Sequence, residues 1–318
     1  MEKKQITIVI PCFNEEKNIE ILIKRLSASI EKIKNYNFEY IFVDDGSTDE
    51  TYNQLKEFSK IDNRIKLIKL SRNFGNHNAI SAGIENVKDS SCLIVFSSDL
   101  QEPPEKISEM ILKWEEENDV VWAIREKRSQ SLFGKFLSNI FYKLFISASG
   151  LKNYPQEGPS CFFLLDKKVY VNWHKFKESN RMVLGMISWM GFTHAKIKYV
   201  QSSRKKGISS FNLFKLIKLA IDSFVSFSHL PIRLISYFGI IISLFGFSYA
   251  AYLTFLYLTR DQSITGWTSL MVIILILSGF QLITLGIIGE YLWRGVDESR
   301  RRPLYLISEK INFNKKED

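Results

Sequence analysis

The sequence predicts an α/β domain, a mostly parallel sheet with flanking helices, followed by interfacial amphipathic helices and two transmembrane helices. Short β-branched runs alternate with longer amphipathic stretches through the first ~125 residues, the pattern of a βαβα series. After Arg125 the chain turns basic and aromatic. Farther on, the 26 residues between Arg233 and Arg260 and the 28 between Asp261 and Glu290 carry no charge. The mean hydropathy of −0.06 over 318 residues averages these regions, so an ordinary overall value conceals two different solvents.

Taken in order, residues 6–10, 40–43, 65–70, 92–96 and 120–124 read as strands, and residues 16–34, 49–59, 78–87 and 104–117 as helices. Strands separated by helices pair in parallel through right-handed crossovers. Ligands gather at the carboxyl ends of such strands, which brings residues 11–15, 44–48, 71–75 and 97–101 onto one rim. Residues 125–152 hold six basic residues and one acid among Leu132, Phe133, Phe136, Ile140, Phe141, Leu144 and Phe145. That spacing predicts an amphipathic helix over 132–150, and a second similar stretch covers 211–228. Both suit helices lying at a membrane surface, held by apolar burial and anionic head groups; packing on the domain core is the alternative. Each uncharged run exceeds the roughly 20 residues that cross a ~30 Å hydrocarbon core, which assigns 234–259 and 265–289 as membrane helices. The layout is then a domain over 1–230, two spans, and a cytoplasmic tail over 290–318. Arg260 is the one Lys or Arg in the link between the spans, whereas seven follow Glu290, which puts both termini in the cytoplasm. The opening apolar run stops at Pro11, too short for a signal segment, so the domain is expected to stay cytoplasmic.

Composition excludes several classes. With 46% apolar residues the chain is neither disordered nor collagen-like. The 43 Lys and Arg against 34 Asp and Glu give +9, but the basic residues cluster near the expected membrane surface, so no nucleic acid is needed to explain them. Cys12, Cys92 and Cys161 lie far apart without CxxC spacing, which argues for a reducing compartment and against a disulfide frame or a zinc site. His77, His174, His194 and His229 lack metal-ligand spacing; His77 follows Gly75-Asn76 on the rim, where a phosphate contact competes with a capping role.

Two rim segments carry candidate chemistry. Val43-Asp44-Asp45-Gly46-Ser47 ends a strand with two carboxylates that can accept from a nucleobase or ribose, and Gly46 lets the chain reverse; a plain Asp-Gly turn is the alternative. Ser97-Ser98-Asp99-Leu100-Gln101-Glu102-Pro103-Pro104 follows another strand, its prolines pre-setting the first turn of the next helix. Asp99 and Gln101 can both offer oxygen to one Mg²⁺ or Mn²⁺ completed by substrate phosphates, or Asp99 serves only as an acid at a helix start.

The ordered set Ile8-Val9-Ile10-Pro11-Cys12-Phe13-Asn14-Glu15-Glu16, Val43-Asp44-Asp45-Gly46-Ser47-Thr48-Asp49, Leu70-Ser71-Arg72-Asn73-Phe74-Gly75 and Asp99-Leu100-Gln101-Glu102-Pro103-Pro104-Glu105 closely resembles the family-2 glycosyltransferases. More narrowly it is similar to the polyprenyl-phosphate branch, which includes dolichol-phosphate mannose synthase and the bacterial bactoprenol-phosphate glucosyltransferases. Ile288-Gly289-Glu290-Tyr291-Leu292 and Arg302-Pro303-Leu304-Tyr305 match the bacterial subgroup, so the resemblance covers nearly the whole chain. It implies a GT-A domain, a nucleotide-diphosphate sugar donor, Mg²⁺ or Mn²⁺, and inverting transfer to a polyprenyl phosphate such as undecaprenyl phosphate at a bacterial inner membrane. By matching positions it implies that Pro11, Phe13, Glu15 and Asp44 or Asp45, with the Gly46 turn, hold the nucleotide. Asp99 with Gln101 would hold the metal, and Arg125 and Arg128 would lie near the phosphates. The products would serve surface-polysaccharide or lipopolysaccharide modification, and a homo-oligomer is left open.

The departures matter too. Ser97-Ser98-Asp99 stands where the family usually shows Asp-Ala-Asp, Ser160-Cys161-Phe162-Phe163 where a run with an acid and an arginine is usual, and Ser210 where lysine is common. A lipid phosphate with a second pKa of roughly 6 is mostly a dianion at neutral pH and attacks without a general base, whereas a sugar hydroxyl needs one. Cys161 itself reads as a small buried hydrophobe. The absence of a Gln-x-x-Arg-Trp segment disfavours a processive synthase. A second reading follows from the same losses: a non-catalytic, membrane-anchored paralogue that partners an active transferase. A third is an enzyme retuned to an unusual donor sugar.

Overall fold

The computed structural model describes residues 3–126, 132–151, 153–155, 160–178, 181–201, 230–260 and 266–313. The chain forms two compact units, one of residues 1–146, 151–211 and 303–318, the other of residues 147–150 and 212–302.

The first unit is built on one sheet. Its strands are β1 (Lys4–Cys12), β2 (Tyr36–Asp44), β3 (Ile65–Leu70), β4 (Cys92–Val95), β5 (Val120–Arg125), β6 (Phe163–Asp166), β7 (His194–Tyr199) and β8 (Ile307–Ile311). They lie in the order β7-β5-β6-β4-β1-β2-β3-β8. β4, β1, β2 and β3 pair in parallel, as their helical crossovers require, while β6 runs antiparallel to both β4 and β5. Ile6, Ile8, Val9 and Ile10 on β1 are all fully buried, because helices cover both faces of a central parallel strand. The sequence brackets β1 at residues 6–10, but Pro11 and Cys12 stay in register with Val43 and Asp44, carrying both strands to the rim.

Helices α1 (Ile19–Ile30), α2 (Thr51–Ile61), α3 (Asn76–Glu85) and α4 (Ile107–Glu115) supply the cover. α1 buries Ile19, Leu22, Leu26 and Ile30, a stripe at helical spacing. It starts three residues later than the sequence suggests, because the Asn18 and Ile19 amides close a turn on the Glu15 carbonyl at 2.8 and 3.2 Å. α3 lies close against the sheet, since Gly83 has no Cβ to strike the Val9 side chain. After β5, α5 (Leu132–Ser149) occupies the stretch expected to be an amphipathic helix. Phe145 on it is buried against Tyr154, edge to face at 5.3 Å, whereas Ile140 and Leu144, one turn apart, are exposed. Over residues 140–149, one side of α5 thus packs and the other exposes Ile140 and Leu144 together with Lys143 and Ser147. The helix expected over 211–228 lies outside the described residues, as do Arg128 and Ser210. β6 leads into α6 (Lys167–Tyr170), and α7 (Val183–Trp189) precedes β7.

The second unit holds α8 (Leu230–Arg260) and α9 (Trp267–Ser299). Within them Ile232–Leu253 and Ile276–Ser299 are long and apolar enough to cross a membrane by length and composition. Phe245 and Phe247 are 74% and 76% exposed, the inverse of the first unit's core. α9 runs ten residues past the boundary expected at 289, and the tail then forms β8 on the first unit's sheet, where the sequence suggested no strand.

Candidate active site

The carboxyl ends of β1, β2, β3 and β4 bring together the four segments that the sequence places on one rim, and side chains lace them. After β1, Asn14 adopts φ +55° and its amide donates to Ser47 Oγ at 3.0 Å, while Asn14 Oδ1 accepts the Thr48 amide at 2.9 Å. The Glu15 amide donates to Thr51 Oγ1 at 2.7 Å and the Glu16 amide to Asp49 Oδ2 at 3.2 Å. Asn and Asp recur here because short polar side chains satisfy turn amides that no ladder can reach.

Asp44 and Asp45 divide the work at the end of β2. Asp44 is fully buried and accepts the Ser47 amide at 3.3 Å on both oxygens. Asp45, 3% exposed, accepts the Phe74 amide at 2.7 Å and the Gly75 amide at 2.9 Å, one on each oxygen. Burial raises the pKa of both carboxyls, opposed at Asp44 by Ser47 and at Asp45 by those two amides. Gly46 follows at φ +69°, and a Cβ there would meet the Arg72 backbone at 2.5–2.7 Å. Phe13 is 41% exposed beside this turn, Pro11 is buried, and the Glu15 carboxylate takes a hydrogen bond from Asn18. Arg72 is exposed, its guanidinium 4.5 Å from the Phe74 ring. His77, at the start of α3, is half-buried, and desolvation lowers its pKa; among the described residues its buried Nδ1 finds no partner.

The loop after β4 forms the other part of the rim. Ser98 Oγ donates to the Pro11 carbonyl at 2.9 Å, fixing this loop to β1. Asp99 is half-buried and accepts the Gln101 amide at 3.1 Å across Leu100, which sits at φ +60°. The Gln101 backbone thus lies against the Asp99 carboxylate, while the Gln101 side-chain oxygen accepts from the Gln201 amide group. Among the described residues no three His, Cys, Asp or Glu side chains gather as a metal cluster. Arg125, at the end of β5, donates from Nε to the Tyr199 hydroxyl at 3.3 Å.

Glu102 is the residue that sequence reasoning passes over. It is 3% exposed, and its carboxylate accepts the Ser97 amide at 3.0 Å. Desolvation pushes its pKa up to about 7; the Ser97 amide opposes this, the Asp99 charge adds to it, and Arg125 and Ser160 pull it down. The one signal in the sequence is an acid directly before Pro103-Pro104, where Pro104 opens the next helical turn. Cys161, in the run aligned with the family's acid, keeps some exposure and receives an Asn76 amide contact at 3.6 Å. Burial pushes its thiol up to about 12, so the sulfur is neither an acid nor a thiolate at neutral pH.

Comparison with known proteins agrees with this geometry. The sequence model of the family described as Glycosyl transferase family 2 matches residues 7–184. The uncharacterized glycosyltransferase YkcC of Bacillus subtilis is 41% identical over 98% of this chain and 96% of its own length. The bactoprenol glucosyl transferase of Shigella phage SfV is 34% identical over 95% of this chain and 98% of its own. Among solved structures, the mannosyltransferase PcManGT of Pyrobaculum calidifontis, in complex with GDP-Man and Mn²⁺, aligns with a TM-score of 0.50 at 12% identity, covering 95% of this chain and 87% of that one. That likeness speaks for the fold, a GT-A-like α/β domain with a mostly parallel sheet. From the matched family region and the near full-length identity to its relatives, the chain belongs to glycosyl transferase family 2, in the branch that holds the bactoprenol glucosyl transferases.

Proposed function

We propose that this glycosyltransferase moves one sugar, with inversion, from a nucleotide-diphosphate donor to a polyprenyl phosphate such as undecaprenyl phosphate at the cytoplasmic membrane face, for surface-glycan modification. The observation that carries the reading is the reach of the similarity to a bactoprenol glucosyl transferase: at 95% of this chain it takes in the apolar helices and the tail as well as the rim. Pro11, Phe13, Glu15 and the Asp44–Gly46 turn would receive the nucleotide, in a rim whose loops are already tied together. β8 supports the membrane topology, because the chain enters the apolar helices from one domain and returns to the same sheet, which requires an even number of crossings.

Asp99 and Gln101 fit a hard divalent cation, since they place one carboxylate and one amide oxygen on a single loop and Mg²⁺ or Mn²⁺ takes few protein oxygens beside substrate phosphates. Such a cation would neutralise charge on the departing diphosphate. Arg125 adds positive charge from the end of β5, and Arg128 is assigned the same task from sequence alone. The acceptor phosphate, already a dianion, needs no base, which suits a site where Cys161 replaces an acid. Purified full-length protein given undecaprenyl phosphate, Mn²⁺ and a panel of UDP-, GDP- and CDP-sugars should form a lipid-linked sugar; no product from any donor, with an active relative as control, sinks the proposal. Ser97 and the unreactive Cys161 favour one alternative, a non-catalytic paralogue that partners an active transferase. It predicts a silent protein that gains activity with Ser97→Asp and Cys161→Asp.

A further inference from the structure

We infer that the carboxy-terminal tail, residues 305–311, is a working part of the donor site: it holds the loop of residues 71–75 in the conformation that nucleotide-diphosphate binding requires. The inference rests on reading the rim as the nucleotide site. In the sheet order, β3 lies between β2 and β8, so the loop leaving β3 is gripped from both sides. On the β2 side, Asp45 holds the Phe74 and Gly75 amides and Gly46 lies against the Arg72 backbone. On the β8 side, the Ser71 amide donates to the Leu306 carbonyl at 2.9 Å and Ser308 Oγ to the Lys69 carbonyl at 3.0 Å. The β3–β8 register shifts between Lys69 and Leu70, so the ladder's irregularity falls at the last residue before the loop.

The tail grips a second point of the same segment. The loop runs directly into α3, and the Tyr305 hydroxyl donates to the Glu85 carboxylate at the far end of that helix. Glu85 also pairs with Arg181, which is only 7% exposed. The segment from Ser71 to Glu85 is therefore fastened near both ends by a tail that follows it by more than 200 residues and emerges from α9. A chain carrying every donor motif but lacking the tail would have an open β3 edge and a loop held from one side alone. The donor site is thus complete only once the apolar helices have been made and the tail has returned.

The test uses the full-length protein in detergent. Ile307→Asp with Ile311→Asp places two charges at partly buried positions of β8 and detaches it; Tyr305→Phe removes one bond and leaves the strand. In the double variant, amide exchange in a peptide covering 71–78 should speed up while β1 and β4 stay protected, and the Kd for UDP or GDP with Mn²⁺ should rise about tenfold or more, since small misplacements in a site are costly. The donor KM should rise alike, with the polyprenyl phosphate KM unchanged. Tyr305→Phe should raise the same Kd about threefold at full folding, and it decides the matter if the double variant unfolds. Unchanged exchange at 71–78 and unchanged nucleotide affinity in both variants would overturn the inference. If the parent binds no nucleotide, the reading of the site has failed, and the exchange data alone then decide whether the tail fastens the loop.

Discussion

The two parts of the rim are built differently. On the side of β1, β2 and β3, every loop is tied to its neighbour by an Asn, Asp, Ser or Thr that satisfies a turn amide, and the residues match the family motifs one after another. On the side of β4, β5 and β6, two acids expected from the family are missing at Ser97 and Cys161, and what remains is Asp99 above a buried Glu102 with Arg125 beside it. On the proposed reading, the first part receives the donor with the family's motif residues in place, and the part facing the reaction lacks two of them. Binding a nucleotide needs many fixed donors and acceptors at once, whereas an acceptor that arrives as a dianion asks less of its protein.

The largest effect expected from breaking this contrast is at Asp99. Asp99→Asn keeps the shape and the hydrogen bond from the Gln101 amide but removes the one carboxylate suited to a cation, so glycosyl transfer should fall about 10³-fold, about 4 kcal/mol of transition-state stabilisation. Unchanged turnover with Mn²⁺ present would mean that the pared side does not work through Asp99. On the donor side the equivalent stress is steric. Gly46→Ala puts a Cβ on a residue at φ +69° that already touches the Arg72 backbone, which should cost about 2–3 kcal/mol of stability. A thermal shift reads it, and a melting point equal to the parent's would show that the loops after β2 and β3 are looser than their bonds suggest.

Much of the donor side was legible because chain order alone sets it: in a βαβ series each motif that follows a strand lands on the same rim. Residues 65–70 appear as a strand with those limits, since Ile65, Leu67, Ile68 and Leu70 face buried surroundings. The other side resists reading because its neighbours come from far along the chain. β6 is four residues long and antiparallel, and β7 interrupts its apolar pattern with Lys196 and Lys198. β8 follows two apolar helices and reads as a charged tail. Glu102 belongs to a quoted motif, yet the Ser160 and Arg125 that act on its carboxyl are brought near only by β5 and the entry to β6.

That less legible side also carries a pH sensitivity of its own. On β7, His194 accepts a hydrogen bond from Trp122 Nε1 at 2.7 Å on Nδ1, and burial, with Lys196 nearby, lowers its pKa from 6.5 to about 4 despite Asp119. The unfolded chain therefore binds a proton that the folded one refuses between those values. The stability contributed by this imidazole is complete above pH 6.5 and falls as pH drops toward 4, by about 2 kcal/mol once solvent screening of a partly exposed ring is allowed for. His194→Gln can still accept from Trp122 and should flatten the melting point across that window. A parent and variant with parallel pH profiles would place the acid sensitivity elsewhere.

The smallest expected change is the most telling about the pared side. If the attacking group is a phosphate dianion, returning a carboxylate with Cys161→Asp supplies a base that the reaction does not need, and turnover should change by no more than about threefold. The new charge would sit near Glu102, which repels it, and Arg125, which attracts it, so the variant keeps a balanced environment. A rise of about a hundredfold from a weak parent would show instead that proton removal limits the reaction, and that the acceptor is a hydroxyl or the parent a partner protein. A near-silent response together with the collapse at Asp99→Asn would separate the two parts of the rim as argued: one binds through many ties, the other acts through a single carboxylate and an acceptor that brings its own charge.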